Sequence, residues 1–283
     1  MRDFSSDTQL MALNTATVSK QWTLEQCIDG CVRHGIGGIA PWRDKLDACG
    51  ADKAAKLIRG AGLRVTGLCR GGMFPAATQG ERQAALDDNR KAIDDAATIG
   101  AECLILVVGG LPKGSRDIAD ARQQVQDGIA ALLDYARAAE VPLAIEPLHP
   151  MYAADRACVN TLQQANDMCD ALGGKSGGGV GVAVDVYHLW WDPALEAEIA
   201  RAGAAGRILG FHVCDWLVPT TDLLLDRGMM GDGVIDIPKI RSWVEAAGYN
   251  GCSEVEIFSQ HNWWQRDADE VLATCIERHQ TVV

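Results

Sequence analysis

Gly181-Val182-Ala183-Val184-Asp185-Val186-Tyr187-His188 is an unbroken apolar run that stops at an acid and an imidazole, with a helix-period segment, Pro193 to Ala202, behind it. A short run this apolar, bounded by glycines on one side and a helix on the other, reads as a strand buried on both faces. Working outward, the same strand-then-helix unit recurs in both directions. Upstream lie the runs Leu10 to Val18, Gly37 to Trp42, Val65 to Cys69, Leu104 to Val108 and Pro142 to Pro147; downstream lie Ile208 to Val213 and Cys252 to Phe258. Between them sit a helix opened by a Thr23/Gln26 capping box, one ending near Gly60 and Gly62, one from about Glu81 to Ile99, and one in which Val125, Ile129, Leu132, Leu133 and Ala136 share a face. Leu162 to Leu172, Ile237 to Ala247 and a last helix carrying Val271, Leu272, Cys275 and Ile276 complete the series. Eight such units predict the α/β class and a single (β/α)8 TIM barrel over residues 1–283, in preference to a doubly wound open sheet.

The chain has 283 residues, 48% hydrophobic and 23% charged, the balance of a globular protein with a sizeable core. Its formal charge is −12, from 26 Lys and Arg against 38 Asp and Glu, which repels nucleic acid and anionic membrane, and no window carries a compensating basic patch. The ten cysteines are scattered through apolar runs, as in Ala101-Glu102-Cys103-Leu104-Ile105-Leu106, with no CxxC pair or zinc spacing. They read as small buried hydrophobes in a reducing compartment. Met1-Arg2-Asp3-Phe4-Ser5-Ser6 lacks a signal peptide's apolar stretch, and nothing approaches the ~20 apolar residues of a membrane span, so a cytoplasmic protein is expected. Gly173-Gly174-Lys175-Ser176-Gly177-Gly178-Gly179 has a phosphate-loop composition but follows a helix and precedes a strand, the reverse of that loop's context, so it reads as a flexible turn.

In a parallel barrel, chemistry collects at the carboxyl ends of the strands. Four consecutive runs, the fifth to the eighth, end in ionisable residues: Glu146 in Ala144-Ile145-Glu146-Pro147-Leu148-His149-Pro150, Asp185 with His188 just beyond, His212 in Gly210-Phe211-His212-Val213-Cys214-Asp215-Trp216, and Glu254 and Glu256 on one face of Cys252-Ser253-Glu254-Val255-Glu256-Ile257-Phe258. One such acid alone reads as a helix cap or ion-pair partner, and one such histidine as a hydrogen-bonded core residue. Four together crowd like charge into an apolar setting, a conflict that a divalent cation resolves. Three carboxylates and one imidazole suit Mn²⁺, Mg²⁺ or Co²⁺ better than a sulfur-rich zinc site. Glu254 lies two residues deeper than Glu256, so Glu256 is taken as the ligand and Glu254 as a member of an internal ion pair.

Glu-Pro-Leu closing the fifth strand, Asp-x-x-His closing the sixth, a seventh-strand His followed by a Gly-x-Gly loop, and Gly-Tyr-x-Gly leading to an eighth-strand Glu resemble the xylose isomerase-like barrel superfamily, its sugar phosphate isomerase/epimerase branch best. The resemblance implies Glu146, Asp185, His212 and Glu256 as ligands of one metal, Mn²⁺ first among the candidates, and Glu146 and Glu256 as the acid/base pair. It implies that His188 contacts a substrate oxygen and that Arg227 holds a hydroxyl or carboxylate. The implied reaction is isomerisation or epimerisation of a sugar or sugar derivative, by removal of a proton α to a carbonyl with the enediolate stabilised by the metal. Loss of a β-substituent from the same intermediate makes the site a lyase on a cyclic keto-sugar of inosose, dehydroshikimate or 3-keto-glycoside type, and the residues leave that alternative open. A non-catalytic carbohydrate-binding barrel is disfavoured by the complete ligand set.

The three-zinc abasic-site endonucleases of the same superfamily carry Asp-Arg-His where this chain has Asp226-Arg227-Gly228, and the histidines expected after the third and fourth strands are replaced by Arg70-Gly71-Gly72 and Val108-Gly109-Gly110. The chain also departs from the ketose epimerases, with Cys214-Asp215-Trp216-Leu217-Val218-Pro219 in place of a polar, arginine-bearing segment and His149 where Asn is common. His149 and Trp216 are expected at the substrate. Trp190, Trp191, Trp216, Trp263 and Trp264 are expected around the mouth, either stacking on a larger substrate or packing helices. A homo-oligomer is expected, and Leu223, Leu224 and Leu225 mark a lid or subunit contact.

Overall fold

The computed structural model describes residues 2–173 and 179–283. In chain order the elements are β1 (Met11–Asn14), α1 (Leu24–His34), β2 (Gly38–Ala40), α2 (Arg43–Cys49), α3 (Ala51–Gly60), β3 (Arg64–Val65), β4 (Leu68–Gly72), α4 (Gln79–Ile99), β5 (Leu104–Val107), α5 (Ile118–Ala138) and β6 (Leu143–Ile145). They continue with α6 (Leu162–Gly173), β7 (Val180–Asp185), α7 (Val186–Leu189), α8 (Leu195–Ala204), β8 (Ile208–Val213), β9 (Asp215–Trp216), β10 (Arg227–Gly228), α9 (Ile237–Ala246), β11 (Ser253–Val255) and α10 (Ala268–Thr281).

Nine strands form one parallel sheet in the order β3-β2-β1-β11-β8-β7-β6-β5-β4. Only Thr66 and Gly67 separate its two ends, β3 and β4, which are halves of one barrel strand. The Thr66 N–H donates to Ile39 O (3.1 Å) and the Cys69 N–H to Pro41 O (3.0 Å) on one side, and the Leu68 N–H donates to Cys103 O (3.0 Å) on the other. Counted so, eight strand positions close into a TIM barrel. The bore is filled by small side chains, Cys69, Cys103, Ala144 and Ala183 with Ile105, while a larger apolar layer lies between the strands and the helices. A small bore packs solidly at the bottom, which confines polar residues to the carboxyl end.

Local chemistry sets most boundaries. Thr23 caps α1, accepting from the Gln26 N–H while the Gln26 side chain accepts from the Thr23 N–H, as the sequence predicts. The fourth helix begins at Gln79, two residues ahead of its expected start, because Thr78 and Glu81 form a second capping box. The Leu10 to Val18 run is a strand only to Asn14: its side chain accepts from the Ala16 N–H and turns the chain into one 3₁₀ turn. β9 and β10 pair antiparallel inside the stretch expected to be one long loop; with two residues each, they leave no periodicity to read.

All ten cysteines are free thiols, and nine of them are buried. Among the described residues no helix is long and apolar enough to cross a membrane. Of the glycine-rich stretch from Gly173 to Gly179, residues 174–178 lie outside the described residues.

Candidate active site and metal centre

Strand register brings the polar ends together. Asp185, the last residue of β7, pairs with His212 on β8, and His212 pairs with Glu254 on β11. Glu146 and Glu256 stand one position past β6 and β11; their N–H groups donate to Leu106 O and Val213 O, both at 3.1 Å, continuing the ladder. The result is a buried cluster of Glu146, Asp185, His212 and Glu256, each offering one ligand atom within 4.8 Å of all the others.

The donors in this cluster are not satisfied by one another. Glu146 Oε1 lies 2.7 Å from His212 Nδ1, yet neither atom makes a hydrogen bond of acceptable direction, and His212 Nε2 makes none either. Buried polar atoms are nearly always paired, so the three unpaired atoms, one on Glu146 and two on His212, call for a further partner. Three oxygen donors and one imidazole fit a hard or borderline divalent cation. Burial pushes the Asp185 and Glu256 carboxyls up from the usual range; Arg227 opposes this and the Glu146 charge adds to it. Burial acts on His212 in the opposite sense, but Glu254, Glu146 and Glu256 outweigh it and hold the imidazole well above its ordinary value. The local field is strongly negative, as a cation site requires.

Arg227 opens β10 and leans back over this cluster. Its Nη1 donates to Glu256 Oε2 (3.0 Å) and Asp185 Oδ2 (3.3 Å), and its guanidinium carbon lies 4.4 Å from the Tyr187 ring centre and 4.9 Å from that of Phe258. His188 is one turn past Asp185, on α7. Both of its ring nitrogens face donors: Nδ1 lies 3.2 Å from the His149 N, and Nε2 lies 3.2 Å from Arg227 Nη2 and 3.6 Å from Asp185 Oδ2. Burial and the Arg227 charge push its pKa well below the ordinary value, so the ring is neutral.

The cluster opens into a pocket walled by Trp42, Arg70, Val107, Leu148, Tyr152, Arg156, Leu224 and Phe258, with Glu146, His188, Arg227 and Glu256 at its polar end. His149 and Trp216 are not on this wall. They stack on each other at 5.0 Å, and Trp216 also packs on Tyr187 and Trp190. Trp190, Trp191, Trp263 and Trp264 are likewise absent from the wall. Trp191 donates to His188 O (2.8 Å) and Trp264 to Ala16 O (2.8 Å), which makes them packing residues.

Several residues that order the site carried little sequence signal. Asn14 donates to Glu254 Oε1 (2.7 Å) and Glu256 Oε1 (3.0 Å) and accepts from Trp42 Nε1 (2.9 Å). Its clue was its position at the end of Met11-Ala12-Leu13. Glu254 accepts a second bond from Thr66 Oγ1 (2.6 Å) and lies 3.6 Å from His212 Nε2, the internal ion pair expected from its depth. Asp215 is fully buried and accepts from the N–H groups of Gly231 (2.9 Å), Gly233 (2.9 Å) and Ile235 (3.0 Å), binding the Gly-x-Gly loop to the end of β8. A Cβ on Gly233 would come within 2.2 Å of Trp216 O, so only glycine fits that approach.

A family model described as xylose isomerase-like TIM barrel matches residues 28–275. The chain belongs to that family. Among solved structures, protein SMc04130 from Sinorhizobium meliloti 1021 is 59% identical, with a TM-score of 0.95 over 98% of this chain and 99% of that one. The IOLI protein, solved with a bound zinc atom, is 19% identical, with a TM-score of 0.82 over 96% and 97%. D-allulose 3-epimerase from Methylomonas sp. is 19% identical, with a TM-score of 0.76 over 96% and 97%. The last two show likeness of fold. No curated protein matches the sequence.

Proposed function

We propose that this xylose isomerase-like barrel is a divalent-metal-dependent isomerase or epimerase of a sugar or sugar derivative, working by proton transfer at the carbon next to a carbonyl. The carrying observation is the buried cluster of Glu146, Asp185, His212 and Glu256, with unpaired atoms on Glu146 and His212, at the polar end of the pocket in the barrel mouth. Those four residues would hold the ion, Mn²⁺ in our reading with Mg²⁺ or Co²⁺ as substitutes. A cation bound there stabilises negative charge developing on the substrate's carbonyl oxygen, which makes the neighbouring C–H acidic enough for a carboxylate base.

The chain's own residues supply the rest. Glu146 and Glu256 stand three strand positions apart around the barrel, so one takes the proton and the other returns one from a different direction. His188 brings its neutral ring against a substrate oxygen. Arg227, sandwiched between Tyr187 and Phe258, orients a second polar group and offsets the carboxylate charge. Leu224, Tyr152 and Phe258 exclude water. The lyase alternative drew on a larger substrate stacked against the five tryptophans; since these pack away from the pocket, the isomerase reading takes precedence.

Incubation of the Mn²⁺-loaded protein with a ketose panel in D₂O tests this. Deuterium on the α-carbon with the substrate's formula retained is the expected result. Loss of water or of an aglycone establishes the lyase instead, and no exchange with any ketose removes both.

A further inference from the structure

Arg70 and Arg156 reach the same pocket from opposite sides of the sequence, one from the middle of β4 and the other from the segment joining β6 to α6. Both are half-buried. Among the described residues neither guanidinium makes a salt bridge or donates a hydrogen bond; the one contact of either is Arg156 over the Tyr152 ring, 5.6 Å from its centre. This is unusual in a chain of net charge −12. Neighbouring arginines find acids readily: Arg43 holds Asp88 through two bonds of 2.8 Å, and Arg201 reaches Asp167, Asp170 and Glu198. Burial and the nearby Arg156 charge both work against the Arg70 cation. Two half-buried guanidiniums facing one cavity, with no acid within ion-pair distance of either among the described residues, cost free energy that an anion in the pocket recovers.

The proposed isomerase chemistry uses neither arginine, since Arg227 already serves the cluster. We propose that the substrate carries an anionic group, a carboxylate or a phosphate, at the end of the chain away from the reacting carbonyl, and that Arg70 and Arg156 select it. The inference rests on reading the pocket as the sugar site. It divides the pocket into a negative end that takes the cation and carbonyl and a positive end that takes the anion, so the substrate lies across the barrel mouth in one direction only. Guanidinium forks suit both anions, and the choice between them falls to the experiment.

The test is isothermal titration of the Mn²⁺-loaded protein with three ketoses that differ at one terminal carbon: D-fructose, D-fructuronate and D-fructose 6-phosphate. We expect at least one charged ketose to bind tenfold or more tightly than D-fructose, with the gain shrinking as salt rises. Arg70→Gln and Arg156→Gln should each remove most of that gain and weaken D-fructose binding far less than they weaken binding of the charged ketose. Arg70→Lys and Arg156→Lys keep the charge and should keep part of the gain, which separates lost recognition from lost folding. The tighter of the two anions names the substrate as a sugar acid or a sugar phosphate. Equal affinity for all three ketoses, a preference that survives both Gln variants, or no binding of any of them overturns the proposal. Its failure is distinct from that of the isomerase reading: Mn²⁺ uptake with α-deuterium exchange on neutral ketoses alone keeps the reaction and discards the anion, and an arginine-dependent anion preference without exchange does the reverse.

Discussion

The ring of His212 is held between two carboxylates, with Nδ1 2.7 Å from Glu146 Oε1 and Nε2 3.6 Å from Glu254 Oε1. Only the first belongs to the candidate ligand cluster. Glu254 is fixed from below by Asn14 and Thr66, so its oxygen stands where it orients the imidazole and raises its basicity. Metal-binding histidines commonly rest on such a carboxylate.

Glu254→Gln should therefore weaken Mn²⁺ binding by about 10- to 100-fold with little loss of thermal stability, because Gln keeps the bond from Asn14 or Thr66. Competition titration against a fluorescent chelator reads this directly. An unchanged dissociation constant would show that Glu254 is only a packing element.

Glu146→Gln removes the proposed base while leaving an oxygen beside His212. Turnover should drop by about 10²-fold or more at saturating Mn²⁺, with the circular dichroism spectrum and unfolding midpoint unchanged. Metal content measured on the same sample separates lost proton transfer from lost metal. Retained turnover would take Glu146 out of the mechanism.

Legibility in the sequence followed the length of the signal. Eight apolar runs with helices between them carry the barrel, and the four ionisable strand ends are visible because each interrupts a run that has no other reason to be polar. Register then does the rest: a parallel ladder that pairs Asp185 with His212 places their side chains at one level. Asn14 and Thr66 were not legible, since a single amide or hydroxyl in an apolar run is compatible with a cap. The sequence left the tryptophans open between stacking and packing because proximity in sequence to a strand end does not fix the direction of a side chain. Trp42, on the pocket wall, lies far from them in sequence, and its indole is aimed by Asn14.

The loop that carries Leu223 to Leu225 is tied down at Leu225 O, which accepts from the Gln260 N–H (2.8 Å), and at Leu223 O. Leu223 O accepts from Tyr152 Oη (2.7 Å) and Tyr187 Oη (2.8 Å), which places Leu224 against the pocket. Replacing both tyrosines by Phe removes two bonds of about 1 kcal/mol each and leaves the rings under Arg227 and along the wall. The double variant should be cut by protease within 217–226 several times faster than the wild type, and its KM should rise more than its kcat falls. Identical cleavage rates would mean that the loop is held by its own Asp222 and Asp226 turns.

Far from the pocket, His279 on α10 ties the two ends of the chain together. Its ring stacks on Phe4 at 4.4 Å, Nε2–H donates to Asp7 O (3.1 Å), and Nδ1 has no partner among the described residues. Burial pushes its pKa down from 6.5 to about 4. The unfolded chain thus takes up this proton before the native state does, and acid favours unfolding. The contribution to stability is complete above pH 6.5 and is lost as pH falls towards 4. It amounts to about 3 kcal/mol over the whole window, at ~1.4 kcal/mol per pKa unit. His279→Gln keeps an N–H for Asp7 O and cannot titrate. Urea unfolding at pH 7 and pH 5 should show the wild type losing about 2 kcal/mol more than the variant between the two conditions. Equal losses would place the acid sensitivity elsewhere, in the carboxylates of the barrel mouth.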